Sequence, residues 1–141
     1  MSVDLITEEK VSRSENLVIT MIDDEDVGHF IFQKVAQGIP GLQTAVFHNA
    51  RTVIDLIREN KFKTDLILLD LNMPHMSGWD FLDAFEPLNI DKPVFIITSS
   101  NNRLDVEKSK TYKSVKGFYS KPISHSSLQT IVDLALSGTL N

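Results

Sequence analysis

The stretch DLILLDLNMPHMSG, Asp65 to Gly78, constrains the fold more than any other. Four apolar residues, Leu66 to Leu69, run into an acid, Asp70, and a loop with Pro74 and Gly78 follows. An apolar run this short, closed by turn residues, reads as a strand buried on both faces. Strands of that kind belong to open α/β sheets, where ligands sit just past the carboxyl ends. Asp70 then stands where a reactive carboxylate belongs. Asp also caps loops and helices, and this stretch alone leaves both readings open.

Four similar runs surround it. Leu17–Ile22 predicts a first strand, ended by Asp23-Asp24-Glu25-Asp26. A helix over Asp26–Gln37 follows, stopped by Gly38 and Pro40. Val27, Phe30, Ile31 and Val35 share a face at helical spacing and read as core, with Phe32 at the rim. Leu42–Phe47 predicts the second strand. Asn49 can cap a helix over Ala50–Glu59 with Val53, Leu56 and Ile57 inward. Asp65–Leu69 is the third strand, and Trp79–Phe85 a short helix ended before Pro87. Val94–Thr98 is the fourth strand. Arg103–Lys113 is a polar helix with Leu104 and Val106 as its anchors. Gly117–Ser120 is the fifth strand, before Lys121-Pro122. Ser124 caps a last helix to Leu136 with Leu128, Ile131, Val132 and Ala135 as its stripe. Residues 1–16 read as a flexible lead-in, 17–137 as one domain and 138–141 as a tail.

Strands alternating with helices predict a doubly wound parallel sheet with right-handed crossovers. The flavodoxin-like order 2-1-3-4-5 is the expectation. At 141 residues the chain can bury a core without staples. It has no cysteine, which excludes disulfides, thiolate metal sites and Cys nucleophiles. A net charge of -5 argues against nucleic acid or an anionic membrane as partner. No apolar run approaches the ~18 residues of a membrane span, and a cytoplasmic protein is expected. No GxGxxG or GxxxxGK[ST] follows a strand, so neither a dinucleotide nor a P-loop site is supported.

In that strand order, strands one, three, four and five are neighbours. Their carboxyl ends gather Asp23 and Asp24, Asp70, Thr98 with Ser99, and Lys121. Any one of these is ordinary at a strand end; four at consecutive ends indicate a functional site. Three carboxylates with loop oxygens suit a hard cation such as Mg²⁺. A carboxylate beside it can attack phosphorus and form an aspartyl phosphate. Lys121 and the Thr98 hydroxyl would then meet the new phosphoryl oxygens.

With MIDDED, LLDLNMPHMSG, PVFIITSS and FYSKPIS in order, the chain resembles a response regulator receiver domain of the stand-alone chemotaxis-regulator type. The resemblance runs from about Leu17 to Leu136. It implies that Asp70 is the phosphoacceptor, that Asp23 and Asp24 hold Mg²⁺, and that Asp24, Asp70 and the Asn72 backbone carbonyl are direct ligands. It implies that Thr98 is the switch hydroxyl, that Lys121 contacts the phosphoryl group and that Lys121-Pro122 is cis. Phe118, three residues before the lysine, would be the switch aromatic, with Tyr119 on the opposite face. The moving surface would be helix four, strand five and helix five. The phosphodonor would be a sensor histidine kinase or a histidine phosphotransfer protein, and the output a downstream protein effector. A monomer or weak homodimer is implied, with Leu134 off the core stripe. Catalysis is expected only as Mg²⁺-dependent self-phosphorylation and autodephosphorylation. Ser99 stands where many relatives have Ala. Asn72 and Ser100 are expected to flank the hydrolytic water. His29, His48, His75 and His125 show no ligand spacing and read as surface residues, and Trp79 as a reporter on the site.

Two other readings differ in chemistry. A haloacid-dehalogenase-type phosphatase also uses an Asp nucleophile after a strand, but it needs an acid two residues on. That position is Asn72, whose amide cannot transfer a proton at neutral pH. A pseudo-receiver would bind partners without phosphorylation; such chains usually lack an acid or the lysine, and this one has all of them.

Overall fold

The alternation inside the apolar runs decides which side of the sheet each residue serves. In β3 (Leu66–Leu69), Leu66 and Leu68 enter one core while Ile67 and Leu69 enter the other. A strand buried on both faces must be apolar at every position, and all four residues are fully buried. The computed structural model describes residues 17–100 and 102–138. The lead-in over residues 1–16 and the tail beyond Gly138 lie outside them.

The five strands are β1 (Leu17–Ile22), β2 (Leu42–Phe47), β3, β4 (Val94–Thr98) and β5 (Val115–Ser120). They form one parallel sheet in the order β2-β1-β3-β4-β5. The helices are α1 (Asp26–Gln37), α2 (Ala50–Arg58), α3 (Gly78–Phe85), α4 (Arg103–Ser109) and α5 (His125–Ser137). A 3₁₀ turn over Glu86–Leu88 follows α3. The doubly wound flavodoxin-like fold expected of the strand–helix alternation is the fold observed.

One layer packs Phe32, Ala36, Leu128, Ile131 and Val132 of α1 and α5 on Ile19, Leu66, Leu68 and Phe95. The other packs Val53, Ile54, Phe81, Leu82 and Phe85 of α2 and α3 on Ile22, Ile67, Leu69 and Ile96. Side chains start the helices where the sequence indicated. Asn49 accepts from the Arg51 backbone N–H at 2.7 Å, and Ser124 from that of Ser127 at 3.1 Å. Ser77 and Asp80 form a reciprocal capping box on α3.

The inward face of α1 is not the expected one. Val27 and Phe30 are 59% and 60% exposed, whereas Phe32 is fully buried; the buried positions are His29, Phe32 and Ala36. Helical spacing admits either stripe, and Gly28 chooses. A Cβ on Gly28 would lie 2.2 Å from Asp23 Oδ2. The helix thus crosses the end of β1 at a residue without a side chain. That contact sets its rotation, turning Phe32 under and Phe30 out.

Two other apolar positions differ. In α2 the inward residues are Val53, Ile54 and Ile57, with Leu56 only half-buried. In α4 Leu104 is 75% exposed and anchors nothing. This helix ends at Ser109, four residues short of the expectation, and β5 begins at Val115, two residues early. The intervening turn is held from outside. Tyr112 donates its hydroxyl to Asp83 Oδ1 at 2.7 Å, and Glu86 accepts from the backbone of Lys113 and Ser114.

Gly28 yields a test of the packing. Ala is favoured over Gly inside a helix by about 1 kcal/mol. Gly28→Ala is nevertheless expected to lower the urea midpoint, because the new methyl displaces a buried carboxylate. A midpoint equal to or above that of the parent protein would show that α1 does not depend on this contact.

Candidate functional site

The sheet register brings the reactive positions together. Ile22 pairs with Leu69, and Leu69 with Ile96. The residues that follow the first two, Asp23 and Asp70, therefore emerge side by side. Thr98 ends β4 beside Ser120 of β5, and the next residue, Lys121, donates its backbone N–H to the Thr98 carbonyl at 2.8 Å. Each side chain is carried by the end of a rigid strand.

Asp23, Asp70 and Thr98 are buried, at 1%, 4% and 0% exposure. Lys121 reaches in between the acids, its Nζ 2.8 Å from Asp23 Oδ2 and 3.4 Å from Asp70 Oδ2. Asp23 Oδ2 has no well-oriented hydrogen bond, and this ammonium supplies its electrostatic partner. Burial pushes the Asp70 carboxyl above its ordinary pKa, with Asp23 adding to the rise and Lys121 opposing it. Burial alone would lower Lys121, but Asp23 and Asp70 outweigh it and hold its pKa above the ordinary lysine value. At neutral pH the lysine is a fixed cation between two carboxylates.

Asp24 is half-buried, and its Oδ1 is enclosed without a hydrogen-bond partner among the described residues. Candidate ligand oxygens of Asp23, Asp24 and Glu25 lie within 4.8 Å of one another. An enclosed, unpartnered carboxylate oxygen beside a second buried acid fits a small hard cation, which takes one or two carboxylates and completes its shell with water. Asp70 stands outside that 4.8 Å group and joins it through Lys121. Asn72 is exposed, and its backbone bonds to the Asp70 carboxylate and partly offsets the pKa rise.

Two glycines let backbone and carboxylates approach closely here. Beside Gly28 stands Gly78, where a Cβ would lie 2.5 Å from the Asp70 carbonyl oxygen and 2.8 Å from Leu71 Cα. Gly28 shows in the sequence only as a glycine within a helical pattern and Gly78 only as a turn residue, and the sequence reading used neither for the site. The Lys121-Pro122 bond is cis.

Thr98 leads outward. Its Oγ1 accepts from the Ser100 backbone N–H at 3.3 Å. The Ser100 hydroxyl donates to Asp105 Oδ2 of α4 at 2.8 Å. Ser100 is thus committed to the start of α4, whereas exposed Ser99 lines the mouth of the site with Asp23 and Lys121. Phe118 packs half-buried in the α2–α3 layer, and Tyr119 faces the α1–α5 layer. Trp79 stacks on Tyr112, centroids 5.9 Å apart, with Lys108 Nζ 4.6 Å from its ring centroid. It therefore reports the contact between α3 and the end of α4.

The histidines correct the sequence reading. His48, His75 and His125 are exposed, but His29 is 5% exposed, and it converges with His48 and Asp26. Spacing along the chain could not show this, because His48 arrives from the end of β2.

The description "Response regulator receiver domain" belongs to a family model that matches residues 19–133. Among curated proteins, the chain is 36% identical over 90 residues to a protein-glutamate methylesterase/protein-glutamine glutaminase of Treponema pallidum, covering 63% of this chain and 22% of that one. It is 28% identical over 119 residues to a two-component response regulator of Oryza sativa, covering 82% of this chain and 19% of that one. The chain thus spans about a fifth of the length of these two relatives. Among solved structures, a two component response regulator from Cytophaga hutchinsonii superposes with a TM-score of 0.76 at 22% identity, covering 85% of this chain and 96% of that one. The chemotaxis protein CheY4 of Vibrio cholerae does so with 0.70 at 20%, covering 84% and 98%. At these identities the superpositions speak for the fold, and no helix of the described residues is long and apolar enough to cross a membrane. The family model spans the sheet from β1 to within α5, and on that match the chain belongs to the response regulator receiver domain family, the signalling module of two-component systems.

Proposed function

We propose that residues 17–137 act as a phosphorylated switch in the cytoplasm, with Asp70 as the phosphoacceptor. One observation carries this reading: a buried carboxylate, raised in pKa by its surroundings, shares a lysine with a second buried acid at the strand ends. A carboxylate that is poorly solvated and held beside a cation is a better nucleophile than one in water.

The phosphoryl group arrives from a phosphohistidine of a kinase or phosphotransfer protein. The P–N bond breaks as a P–O bond forms to Asp70, and the imidazole leaves with the bonding pair and takes a proton. Asp23, Asp24, Asp70 and the Asn72 carbonyl would hold Mg²⁺, which supplies charge neutralisation for the phosphoryl oxygens. Lys121 shifts its Asp70 contact onto a phosphoryl oxygen. The donor reaches the site past exposed Val27 and Phe30; Val27 lines a cleft of about 360 Å³ together with Asp23, Glu25, Gly28, Ser99 and Lys121.

Phosphorylation adds roughly 1.5 to 2 negative charges and three acceptor oxygens at Asp70. Thr98 then donates to the new group, which draws on the Ser100 segment bonded to it and so on Asp105 of α4. Phe118 turns inward as that segment moves. The surface of α4, β5 and α5 changes shape for a protein effector, with exposed Leu104 within it. Receiver domains signal rather than turn over substrate, and the phosphatase reading finds no acid at Asn72.

Asp70→Asn keeps the shape and removes the nucleophile. Intact mass after acetyl phosphate and Mg²⁺ is expected to show one added phosphoryl group on the parent protein and none on the variant. Because folding penalises the Asp70 carboxylate relative to water, the metal-free variant is also expected to have the higher urea midpoint at neutral pH. Labelling that persists in the variant would place the acceptor elsewhere.

Thr98→Ala is expected to leave labelling within a few-fold of the parent while abolishing the phosphorylation-dependent change in Trp79 fluorescence. A variant that no longer accepts the phosphoryl group would remove Thr98 from the switch and place it in the transfer step.

A further inference from the structure

Outside the phosphoryl site, His29 is the buried group with the least provision. It is 5% exposed, and neither ring nitrogen has a well-aligned hydrogen-bond partner among the described residues, although the Asp23 backbone lies close enough to pull its pKa upward. Leaving a buried imidazole without good partners is costly, so native proteins rarely do so unless something else occupies the lone pair. Two side chains face it. The His48 ring lies 4.3 Å away, centroid to centroid, tilted by 52°. Asp26 Oδ1 lies 2.5 Å from His48 Nε2. One candidate ligand atom from each of Asp26, His29 and His48 lies within 4.8 Å of the others.

We propose that Asp26, His29 and His48 form a second metal site, for a divalent transition metal of the zinc class. Asp26 and His29 stand three apart on the first turns of α1, on one side of the helix. His48 follows the last residue of β2, so the site closes across the edge of the sheet. Two imidazoles and one carboxylate suit Zn²⁺ and its neighbours, whereas Mg²⁺ prefers oxygens alone. The acids of the phosphoryl site and this trio are therefore separated by donor type although they share the β1–α1 turn.

The geometry is that of an open site. Three protein ligands leave the fourth tetrahedral position to water, and exposed Asp26 and His48 give access to it. Ligand atoms on one tetrahedral zinc stand about 3.3 Å apart. The trio lies within 4.8 Å, wider than that spacing at its limit, while Asp26 and His48 at 2.5 Å are closer than it, so a metal would draw His29 in and part the other two. A ligating nitrogen must present its lone pair, so His48 would carry its proton on Nδ1 when Nε2 meets the metal. Burial and the nearby His48 hold the His29 pKa below the ordinary imidazole value, against the Asp23 backbone and the Asp23 and Asp26 carboxylates, a shift in the direction of the neutral form that a ligand requires.

The test uses the full chain without an affinity tag, freed of metal and kept in millimolar Mg²⁺ so that the acid site is occupied. Zn²⁺ is titrated against a chromophoric chelator, and Co²⁺ is followed by its visible absorption. The parent protein is expected to bind one equivalent of each. His48→Ala, at an exposed position, is expected to weaken zinc binding by a factor of about 10 to 100 and to lose the Co²⁺ band. His29→Asn is expected to do the same, while His75→Ala changes neither. Zinc affinity unchanged in His48→Ala would overturn the proposal. So would a zinc site lost in Asp24→Ala but intact in His48→Ala, which would put the metal among the acids. Phosphoryl acceptance by His48→Ala, measured by intact mass, is expected to be normal and keeps this test separate from that of Asp70.

Discussion

The ammonium of Lys121 between Asp23 and Asp70 is the interaction on which the upper half of this sheet depends. Two carboxylates emerge from adjacent parallel strands at the same level, because the register pairs Ile22 with Leu69. Both are nearly inaccessible to solvent. Without a cation they would repel across a medium of low polarity, and one would have to take up a proton. Lys121 opposes that repulsion, but burial, with Asp23 adding to it, still holds Asp70 above its ordinary pKa. The fold thus tolerates a locally unfavourable arrangement, and the apolar layers beneath sustain it. Every residue of β3 and β4 is buried, so the strand ends cannot drift apart without exposing both cores. The rigidity that stores the strain is the same rigidity that aims the acids.

That constraint reaches α1 through Gly28. Asp23 occupies the space a side chain would need, so the helix lies down on the acid with its glycine. The rotation follows from the contact, and two consequences come with it. Phe32 fills the core, while Val27 and Phe30 are turned outward, Val27 at the mouth of the site. Lys34 lies over the Phe30 ring at 5.6 Å and covers part of it. The same rotation turns His29 inward toward His48. One close approach therefore accounts for an apolar rim and a buried imidazole that hydrophobic pattern alone would have placed the other way round.

Much of this was legible in the chain. The five apolar runs gave the strands, the Asn49 and Ser124 caps marked the starts of α2 and α5, and the strand–helix alternation gave a parallel doubly wound sheet, for which the flavodoxin-like order was the expectation. Acids, hydroxyl and lysine at consecutive strand ends indicated where the chemistry would gather. What could not be read was set by contacts between segments distant in sequence. The face of α1 depends on Asp23 meeting Gly28, and the trio with His48 depends on where β2 ends. Helix α4 stops early because Tyr112 and Lys113 find partners on Asp83 and Glu86. Leu104 reads as an anchor by composition, but Val106 and Ser109 are the inward residues of this short helix. Periodicity reports which residues could share a face; which face is buried is a tertiary fact.

The weak hold on α4 gives the molecule its asymmetry. Around β1 and β3, charges and helices are fixed by strands buried on both sides. Around α4, the connection to the site runs through two hydroxyls: that of Thr98 accepts from the Ser100 backbone N–H, and that of Ser100 donates to Asp105. Each such bond contributes about 1 kcal/mol net. In the proposed switch a phosphoryl group at Asp70 would accept from the Thr98 O–H, a charge-assisted bond about twice as strong, and would draw that oxygen away from the Ser100 N–H it accepts from. The rest of α4 resists little, with Ser109 its one buried residue and the Trp79–Tyr112–Lys108 stack at its far end. Under the proposed function, a change at the strand ends would be taken up by the element least bound to the core, while β3 and β4 hold Asp70 in place.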